Sequence, residues 1–508
     1  MKKPGNQIKL GAIMSYVSMA LSVVVSLIYT PFMLNSLGKS EYGLYNTVAS
    51  TVSMLSVLRL GFNNSYIKYY AKYKKDNDIR SIEKLNGLFL LIFSLIGFII
   101  LVCGTVTSNN LSLIFSEGLT NKEYGTAKVL TILLTLNLAI SMPMSVFSNI
   151  VSAHEKFVFL KGLELIRSLS VPIISIPLLL LGFKSIALVS VTLIVSLIID
   201  AIFVFYVFVA LNNKFVFHGF DISLFKGLFW FTFFIALNLI VDQVNMNVDK
   251  ILLGRYRGTA DVAVYSIGYA LYSYYALFSS SISGLFTPRV HLIVSEKSIN
   301  EKNILTNLFT KVGRIQFLIL GLVSSGIVLF GKYFICNIWA DQSYSDSYYV
   351  ALLLVLPALV PLIQNIGIEI QRAKNKHHLR SVVYTIMVIA NLVLSIYLCK
   401  IYGPVGSAVG TAISLLLGNG IFMNIIYHKY CNINIIYFWR QILLLARGIV
   451  LPIFIGIIMQ VFIPTGSLLI YIIKIVIYSL VYIISMWLFG MNEYEKSLII
   501  GTLCKVRK

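Results

Sequence analysis

The sequence predicts an all-α integral membrane protein with about fourteen transmembrane helices. Of its 508 residues, 58% are hydrophobic and 12% are charged, and the mean hydropathy is +0.85. A soluble protein of this composition would have too little polar surface to cover its core. The apolar residues form stretches of about 20, the length that crosses a bilayer core of roughly 30 Å at 1.5 Å per residue. Short and mostly basic connectors separate these stretches.

The predicted spans follow one another along almost the whole chain. They are 12–34, 43–62, 85–107, 125–149, 165–182, 185–210, 229–249, 261–285, 312–334, 347–370, 381–400, 405–428, 441–462 and 467–490. The basic segment before the first span resembles the start of a signal peptide. The apolar run that follows is longer than a signal h-region and has no small-residue cleavage site, so we expect a retained first helix.

The positions of the basic residues predict the orientation. With the N-terminus inside, 29 of the 41 Lys and Arg residues lie in inner segments, nine in outer segments and three within spans. Basic residues in short loops are retained on the cytoplasmic side. We therefore expect both termini in the cytoplasm, and the net charge of +21 to face anionic lipid head groups, with no nucleic-acid partner.

Several function classes are disfavoured. The five cysteines are scattered without a CxxC pair, so no disulfide framework, metal site or cofactor is expected. The longest outer connector, 108–124, has about 17 residues. Membrane glycosyltransferases, polymerases and ligases usually carry a larger external domain, so we expect a protein that is not an enzyme.

Short motifs recur at a nearly constant distance along the chain. Gly182, Ser185 and Ala187 return as Gly403, Gly406 and Ala408, 221 residues later; Ala153 and Lys156 return as Ala373 and Lys376, 220 later; Leu37 and Gly38 return as Leu253 and Gly254, 216 later. The repeat predicts two six-helix bundles, 1–218 and 219–434, followed by two further helices in 435–508. Two units with even helix numbers insert in parallel, an arrangement that places a solute site between them.

The chain resembles the polysaccharide, or O-antigen type, flippases of the multidrug/oligosaccharidyl-lipid/polysaccharide (MOP) exporter superfamily. The residues that carry the resemblance are Pro31-Phe32, Leu37-Gly38, Tyr42 to Tyr45, Leu60 to Phe62, Ser65 to Tyr69, Asp249 to Gly254, Val264-Tyr265 and Gly403 to Ala408. The resemblance extends over essentially the whole chain. Arg59 departs from the pattern, because many relatives have an acidic residue there.

This resemblance implies a flippase in a bacterial cytoplasmic membrane. Its cargo would be an undecaprenyl-pyrophosphate-linked oligosaccharide, moved to the outer leaflet by alternating access, with membrane lipids and polysaccharide polymerase machinery as further partners. Two alternatives share the fold: a lipid II flippase, and a cation-coupled exporter of small molecules or drugs. The first span contains only Ser, Tyr and Thr as polar residues, whereas lipid II flippases ordinarily have basic residues there and drug exporters an acidic one.

Polar residues inside spans are costly in lipid and therefore mark candidate binding positions. The predicted substrate-binding residues are Arg59, Asn238, Asp242, Asn245, Asp249, Tyr265, Tyr269, Tyr272, Glu369 and Arg372. The four from 238 to 249 are spaced 4, 3 and 4, which places them on one helical face. That face would line the cavity, where Asp242 and Asp249 bind sugar hydroxyls or a coupling cation, or would form a polar seam between helices.

The remaining candidates also have two interpretations each. The tyrosines at spacings 4 and 3 suit packing on sugar rings, or the bundle core and the interfacial aromatic belt. Glu369 and Arg372 either bind substrate or pair with each other at i, i+3. Arg59 either binds pyrophosphate through its guanidinium fork or extends to the inner head groups.

Overall fold

The structure is a computed structural model. It describes the backbone of residues 4–59, 62–115, 118–219, 222–296 and 298–506, with their side chains except those of 4–9, 11–13, 63–64, 222–238, 499 and 501–506. The described residues form helices and loops and contain no strand. They divide into two compact units, Met1–Ala263 and Val264–Lys508.

Unit 1 contains eight helices and the first residues of a ninth. They are α1 (Pro4–Met54), α2 (Phe62–Lys75), α3 (Ile79–Asn109), α4 (Leu111–Ile114), α5 (Asn121–Ala153), α6 (Phe157–Leu180), α7 (Ser185–Phe205), α8 (Ile222–Tyr256) and α9 (Thr259–Ser295). A 3₁₀ turn, Leu55–Arg59, follows α1, and a π turn, Tyr206–Ala210, extends α7. The most extensive packing is that of α3 on α5 and of α1 on α6.

The core of unit 1 is aromatic and aliphatic. Phe62 packs edge-on against Phe89 and Phe93, with ring centroids 6.4 and 6.2 Å apart. Close approach of α3 to α5 requires Gly97, because a Cβ there would lie 2.6 Å from the Ala139 carbonyl oxygen. The aromatic core therefore fixes α2 on α3, and the glycine allows the close approach of α5 to α3.

Unit 2 contains the rest of α9 and eight further helices. They are α10 (Glu301–Tyr333), α11 (Ser345–Ile363), α12 (Ile366–Ala373), α13 (His377–Leu415), α14 (Met423–Lys429), α15 (Ile435–Phe462), α16 (Leu468–Ser485) and α17 (Glu493–Val506). Three π turns, Phe334–Trp339, Leu416–Phe422 and Met486–Gly490, continue α10, α13 and α16, and a 3₁₀ turn, Gln342–Tyr344, precedes α11. Phe309 of α10 packs against Phe438 of α15 at 4.8 Å and Tyr427 of α14 at 5.5 Å.

Ten helices in the described part of the chain are long and apolar enough to cross a membrane. Their outward faces carry large apolar side chains, such as Phe462 at 76% exposure, which suit contact with lipid. Two of the ten, those containing α1 and α13, each cover two predicted spans and are broken between them at Gly38 and Gly403. The protein is thus a multi-pass membrane protein, and the total of fourteen spans stays a prediction.

The backbone adds a regular feature to the recurring motifs. Eight of the ten positive-φ residues in the described part of the chain form pairs at an almost fixed offset: Gly38 and Gly258, Glu155 and Asn375, Asn212 and Asn432, each 220 apart, and Gly182 and Gly403, 221 apart. The sequence motif pairs Gly38 with Gly254, whereas by conformation its counterpart is Gly258, where φ is +96°. This brings the third pair into the register of the others. The division into 1–218, 219–434 and 435–508 stays a prediction.

Candidate functional site

Glu369 of α12 lies between two basic side chains, those of Arg372 and His291. Its Oε1 accepts a hydrogen bond from Arg372 Nη1 at 2.6 Å, and its Oε2 is 4.0 Å from His291 Nε2 of α9. The Glu369 side chain is 17% exposed, but that of Arg372 is 61% exposed. The i, i+3 pair is therefore present, and it leaves most of the guanidinium accessible. His291 was missed in the sequence, because a contact across 78 residues leaves no local pattern.

A polar seam connects α9, α10 and the break between α11 and α12. Asn365 Nδ2 donates to Ser279 Oγ at 3.2 Å, and Gln316 Nε2 donates to the Ser279 carbonyl oxygen at 3.2 Å and to Ser283 Oγ at 2.7 Å. Ser279 and Gln316 are fully buried. The seam anchors Asn365, the residue before α12, to Ser279 of α9. Gln316 Oε1 is buried without a hydrogen-bond partner among the described residues.

The three predicted tyrosines of α9 share one helical face. Tyr265 and Tyr269 stack with ring centroids 6.2 Å apart and planes at 19°, and Tyr269 meets Tyr272 at 5.5 Å. Tyr265 is buried, whereas Tyr269 and Tyr272 are half-buried. The ladder thus has a buried end at Tyr265 and two half-buried members, of which Tyr272 packs against the hydrophobic core of unit 2.

The polar stripe of α8 is divided in the same way. Asp242 and Asn245 are exposed and Asp249 is 2% exposed. The Asn238 side chain lies outside the described residues. Asn247, which the stripe did not include, is buried and donates to the Gln243 carbonyl and side-chain oxygens, both at 3.0 Å. The two exposed members have the accessibility that ligand binding needs, and Asp249 belongs to the packed end of the helix.

Arg59 ends the 3₁₀ turn after α1 and is half-buried. Its Nη2 donates to Ser141 Oγ of α5 at 3.3 Å. Its Nε is buried and has no hydrogen-bond partner among the described residues. Among the described residues the guanidinium has one hydrogen bond, to Ser141, and its other Nη donors suit the oxygens of a phosphate.

Other charged residues have structural partners that the sequence did not reveal. Arg314 and Glu495 form an ion pair with both side chains 4% exposed. Arg167 Nη2 lies 2.7 Å from Asp200 Oδ1. Lys474 is buried and donates to Thr465 Oγ1 at 2.7 Å and to the Ile463 carbonyl oxygen, so it caps the C-terminal end of α15.

A polar cleft lies between α1 and α6, within unit 1. It has a volume of about 250 Å³. Its polar lining residues are Ser15, Ser18, Ser22, Lys161, Glu164 and Ser168. The sequence showed serines at 15, 18 and 22 without charged neighbours in the same span; the charged groups come from α6 and were invisible to a local pattern.

His154 lies in the loop between α5 and α6, outside the membrane-spanning segments. Tyr70 Oη is 3.2 Å from its Nε2, and the two rings are 5.5 Å apart. Burial lowers the pKa of His154. Lys74 and Lys156 act in the same direction. In the described part of the chain, no group of three or more His, Cys, Asp or Glu residues is placed to hold a metal ion.

Solved structures with the same architecture identify the fold. The lipid II flippase MurJ, in an inward closed conformation, has a TM-score of 0.69 at 16% identity, covering 97% of this chain and 100% of that chain. An inward-facing MATE family multidrug resistance transporter of the MOP superfamily has a TM-score of 0.66 at 12% identity, and the match covers 82% of this chain and 98% of that chain. A MOP superfamily transporter from Pyrococcus furiosus has a TM-score of 0.59 at 14% identity, and the match covers 82% of this chain and 94% of that chain. The chain therefore has the MOP transporter fold.

The family follows from the sequence comparison. Residues 9–289 match the model of the polysaccharide biosynthesis protein family. This is more than half of the 508 residues, and the chain belongs to that family. A search of curated proteins gives no match.

Proposed function

We propose that the protein is a flippase that moves an undecaprenyl-pyrophosphate-linked oligosaccharide from the cytoplasmic to the outer leaflet during polysaccharide biosynthesis. The observation that carries this proposal is the family match over residues 9–289. The likeness to a lipid II flippase along the whole chain supports it. Transport proceeds by alternating access in the bacterial cytoplasmic membrane, with both termini in the cytoplasm, and the protein changes no covalent bond of its cargo.

The chemistry of the described side chains is compatible with such a cargo. Pyrophosphate needs cationic hydrogen-bond donors, and the Arg59 Nε has no hydrogen-bond partner among the described residues. Arg372 has an accessible guanidinium. In this proposal Arg59 of unit 1 and Arg372 of unit 2 are each pyrophosphate-binding residues, and Tyr269 and Tyr272 of unit 2 pack on sugar rings.

The acidic candidates have a separate role in the proposal. Asp242 is exposed, so it can bind sugar hydroxyls or a coupling cation. Asp249 is buried, and we assign it to the coupling ion alone. Glu369 holds Arg372 in place through the 2.6 Å hydrogen bond. Loss of Glu369 should therefore weaken pyrophosphate binding indirectly.

Two other functions of this fold remain as alternatives. A lipid II flippase is favoured by coverage, because the MurJ likeness spans 97% of the chain and the MATE transporter likeness 82%. A cation-coupled exporter is favoured by the carboxylates of α8. Both alternatives predict a different preferred cargo, so one transport assay with several cargoes separates them.

The test is flipping by the purified protein in liposomes. The cargoes are an undecaprenyl-pyrophosphate oligosaccharide with a fluorescent sugar label, fluorescent lipid II, and a cationic dye. We expect faster flipping of the oligosaccharide lipid than in protein-free vesicles. Arg59→Gln should lower the rate about tenfold or more, because loss of a charge-assisted hydrogen bond of about 1.5–3 kcal/mol corresponds to such a factor. Arg80, exposed in the first turn of α3, provides the matched control Arg80→Gln.

Each outcome decides between the functions. Transport of lipid II alone would replace the proposal by the first alternative, and transport of the dye alone by the second. Protein that moves no cargo, with a folded circular dichroism spectrum, would refute all three. Equal rates in Arg59→Gln and Arg80→Gln would remove Arg59 from the binding residues while leaving the function intact.

A further inference from the structure

The cleft between α1 and α6 combines features that packing alone does not need. Serines 15, 18 and 22 line it from α1, and Ser168 lines it from α6. Ser18 Oγ is buried and has no hydrogen-bond partner among the described residues. A buried hydroxyl without a hydrogen-bond partner is unfavourable, because it has lost its hydrogen bonds to water. Rotation of the Ser18 side chain toward the cleft would allow a ligand hydroxyl to supply the missing partner.

The charges in the cleft balance each other. Lys161 Nζ donates to Glu164 Oε2 at 2.6 Å, and the two side chains are 29% and 51% exposed. The cleft therefore has no excess positive charge for phosphate. It offers donors and acceptors together, since serine hydroxyls do both and the ion pair adds ammonium protons and carboxylate oxygens. Neutral groups with several hydroxyls match this lining best.

The size of the cleft limits the ligand further. Pockets for drug-sized molecules have volumes of roughly 300–1,000 Å³, whereas this one is about 250 Å³. It can take a small part of a larger molecule. Its lining residues Lys161 and Glu164 belong to the segment 150–167, which the basic-residue distribution predicts to be cytoplasmic, the side on which the proposed cargo is loaded.

We propose that the cleft between α1 and α6 binds one sugar ring of the lipid-linked cargo, through the serine hydroxyls and the Lys161–Glu164 pair. This inference rests on the proposed function for the identity of the cargo. It assigns one sugar ring to the cleft, a site distinct from Arg59, Arg372 and the tyrosines of α9, which contact the pyrophosphate and the other sugar rings in the proposed function. The protein should therefore distinguish a sugar-bearing lipid from the same lipid without sugar before any transport occurs.

The test is equilibrium binding by the full-length protein in nanodiscs, with two probes. One is undecaprenyl pyrophosphate carrying a single N-acetylhexosamine, and the other is undecaprenyl pyrophosphate alone. We expect the wild type to bind the sugar-bearing probe about tenfold more tightly. Ser18→Ala/Ser22→Ala should abolish that preference without changing affinity for the sugar-free probe. Ser190→Ala is the matched control, because the Ser190 hydroxyl bonds within α7 to the Ile186 carbonyl oxygen.

Three results would overturn the inference. They are a wild type without preference, a double variant that keeps the preference, and a double variant that loses affinity for both probes equally. The last would indicate a phosphate contact or altered packing. Glu164→Gln gives an independent check and should also lower the affinity for the sugar-bearing probe alone. The binding assay needs no transport, so a wild type that fails to flip the oligosaccharide lipid would refute the proposed function without deciding this inference.

Discussion

The buried pair of Arg314 and Glu495 is predicted to hold the last helix, α17, on α10. Arg314 Nε donates to Glu495 Oε1 at 2.5 Å, and Nη2 donates to Oε2 at 2.8 Å. The same guanidinium donates to the carbonyl oxygens of Gln441 at 2.8 Å and Gly490 at 3.1 Å. Four of the five guanidinium N–H groups of Arg314 therefore donate to these acceptors. Both side chains are only 4% exposed.

The perturbation is Glu495→Gln, which removes the charge and keeps the helix cap. Asn492 and residue 495 cap α17 reciprocally, with N–H to side-chain distances of 3.0 Å in both directions, and Gln can fill this role as Glu does. Breaking a buried ion pair costs about 3–5 kcal/mol. We expect the lower end of that range, about 3 kcal/mol, because Arg314 retains two carbonyl acceptors and the Gln oxygen can still accept one hydrogen bond.

Hydrogen exchange of α17 measures this free energy directly. A loss of about 3 kcal/mol corresponds to roughly a hundredfold faster exchange of its amides, if α17 detaches as a local unit. Glu493→Gln is the matched control in the same helix. Glu493 is exposed in the first turn, and its interaction with the helix dipole is worth about 0.3–1 kcal/mol.

The double variant completes the argument. Arg314→Met/Glu495→Leu replaces both charges by apolar groups and should be nearly as stable as the wild type, because no buried charge is left unpaired. Arg314→Met alone should be the most damaging, since the carboxylate keeps only the Asn492 N–H. The reasoning is refuted if exchange of α17 in Glu495→Gln is no faster than in Glu493→Gln.

Two further predictions concern unit 1. Gly43→Ala should lower the free energy of unfolding by about 3 kcal/mol, the upper end for overpacking, because the new Cβ would lie 1.7 Å from the Thr259 carbonyl oxygen. Gly125→Ala should be neutral or stabilising by up to about 1 kcal/mol, because nothing lies within 4 Å of its new Cβ. Equal melting temperatures of the two variants in detergent would contradict this prediction. Burial lowers the pKa of His154 in the folded protein, so near this pKa the unfolded state binds more protons. Stability is therefore lost as the pH falls through about 6.5, the pKa of histidine in the unfolded chain. His154→Gln should therefore reduce the difference in melting temperature between pH 7.5 and pH 5, whereas the exposed His218→Gln should not.

The sequence predicted the helical framework because its signal is local. An apolar stretch of about 20 residues has one stable solution in a bilayer. The described residues of the predicted spans lie almost entirely in helices, although 347–370 is interrupted between α11 and α12. Helices that lie mostly outside the predicted spans, such as α2 and α17, were not predicted. Each is short and mixed in polarity, and its place depends on partners such as Tyr66 with Asn86, at 2.7 Å, or Arg314 with Glu495.

The candidate site was predicted less completely for a related physical reason. Helical spacing indicates which residues share a face, and the ladder from Tyr265 to Tyr272 follows it. Spacing does not give depth, so it could not separate exposed Asp242 from buried Asp249. It also cannot reveal partners from other elements. The acceptors of Lys474, for example, are Ile463 and Thr465, which follow the end of α15.

The recurring left-handed positions strengthen the internal repeat beyond what shared letters allow. For a residue with a Cβ, the left-handed conformation is less favourable by roughly 1–2 kcal/mol, so it persists only where the surrounding backbone requires it. Glu155 and Asn375 both adopt it, 220 residues apart. Their side chains differ, and Glu has no special tendency toward positive φ, so side-chain preference does not explain the match. A backbone path used twice does explain it, and it accounts for the same offset between Asn212 and Asn432. We therefore interpret the recurring turns as the product of a duplication, and the proposed binding residues Arg59 and Arg372 do not recur at this offset.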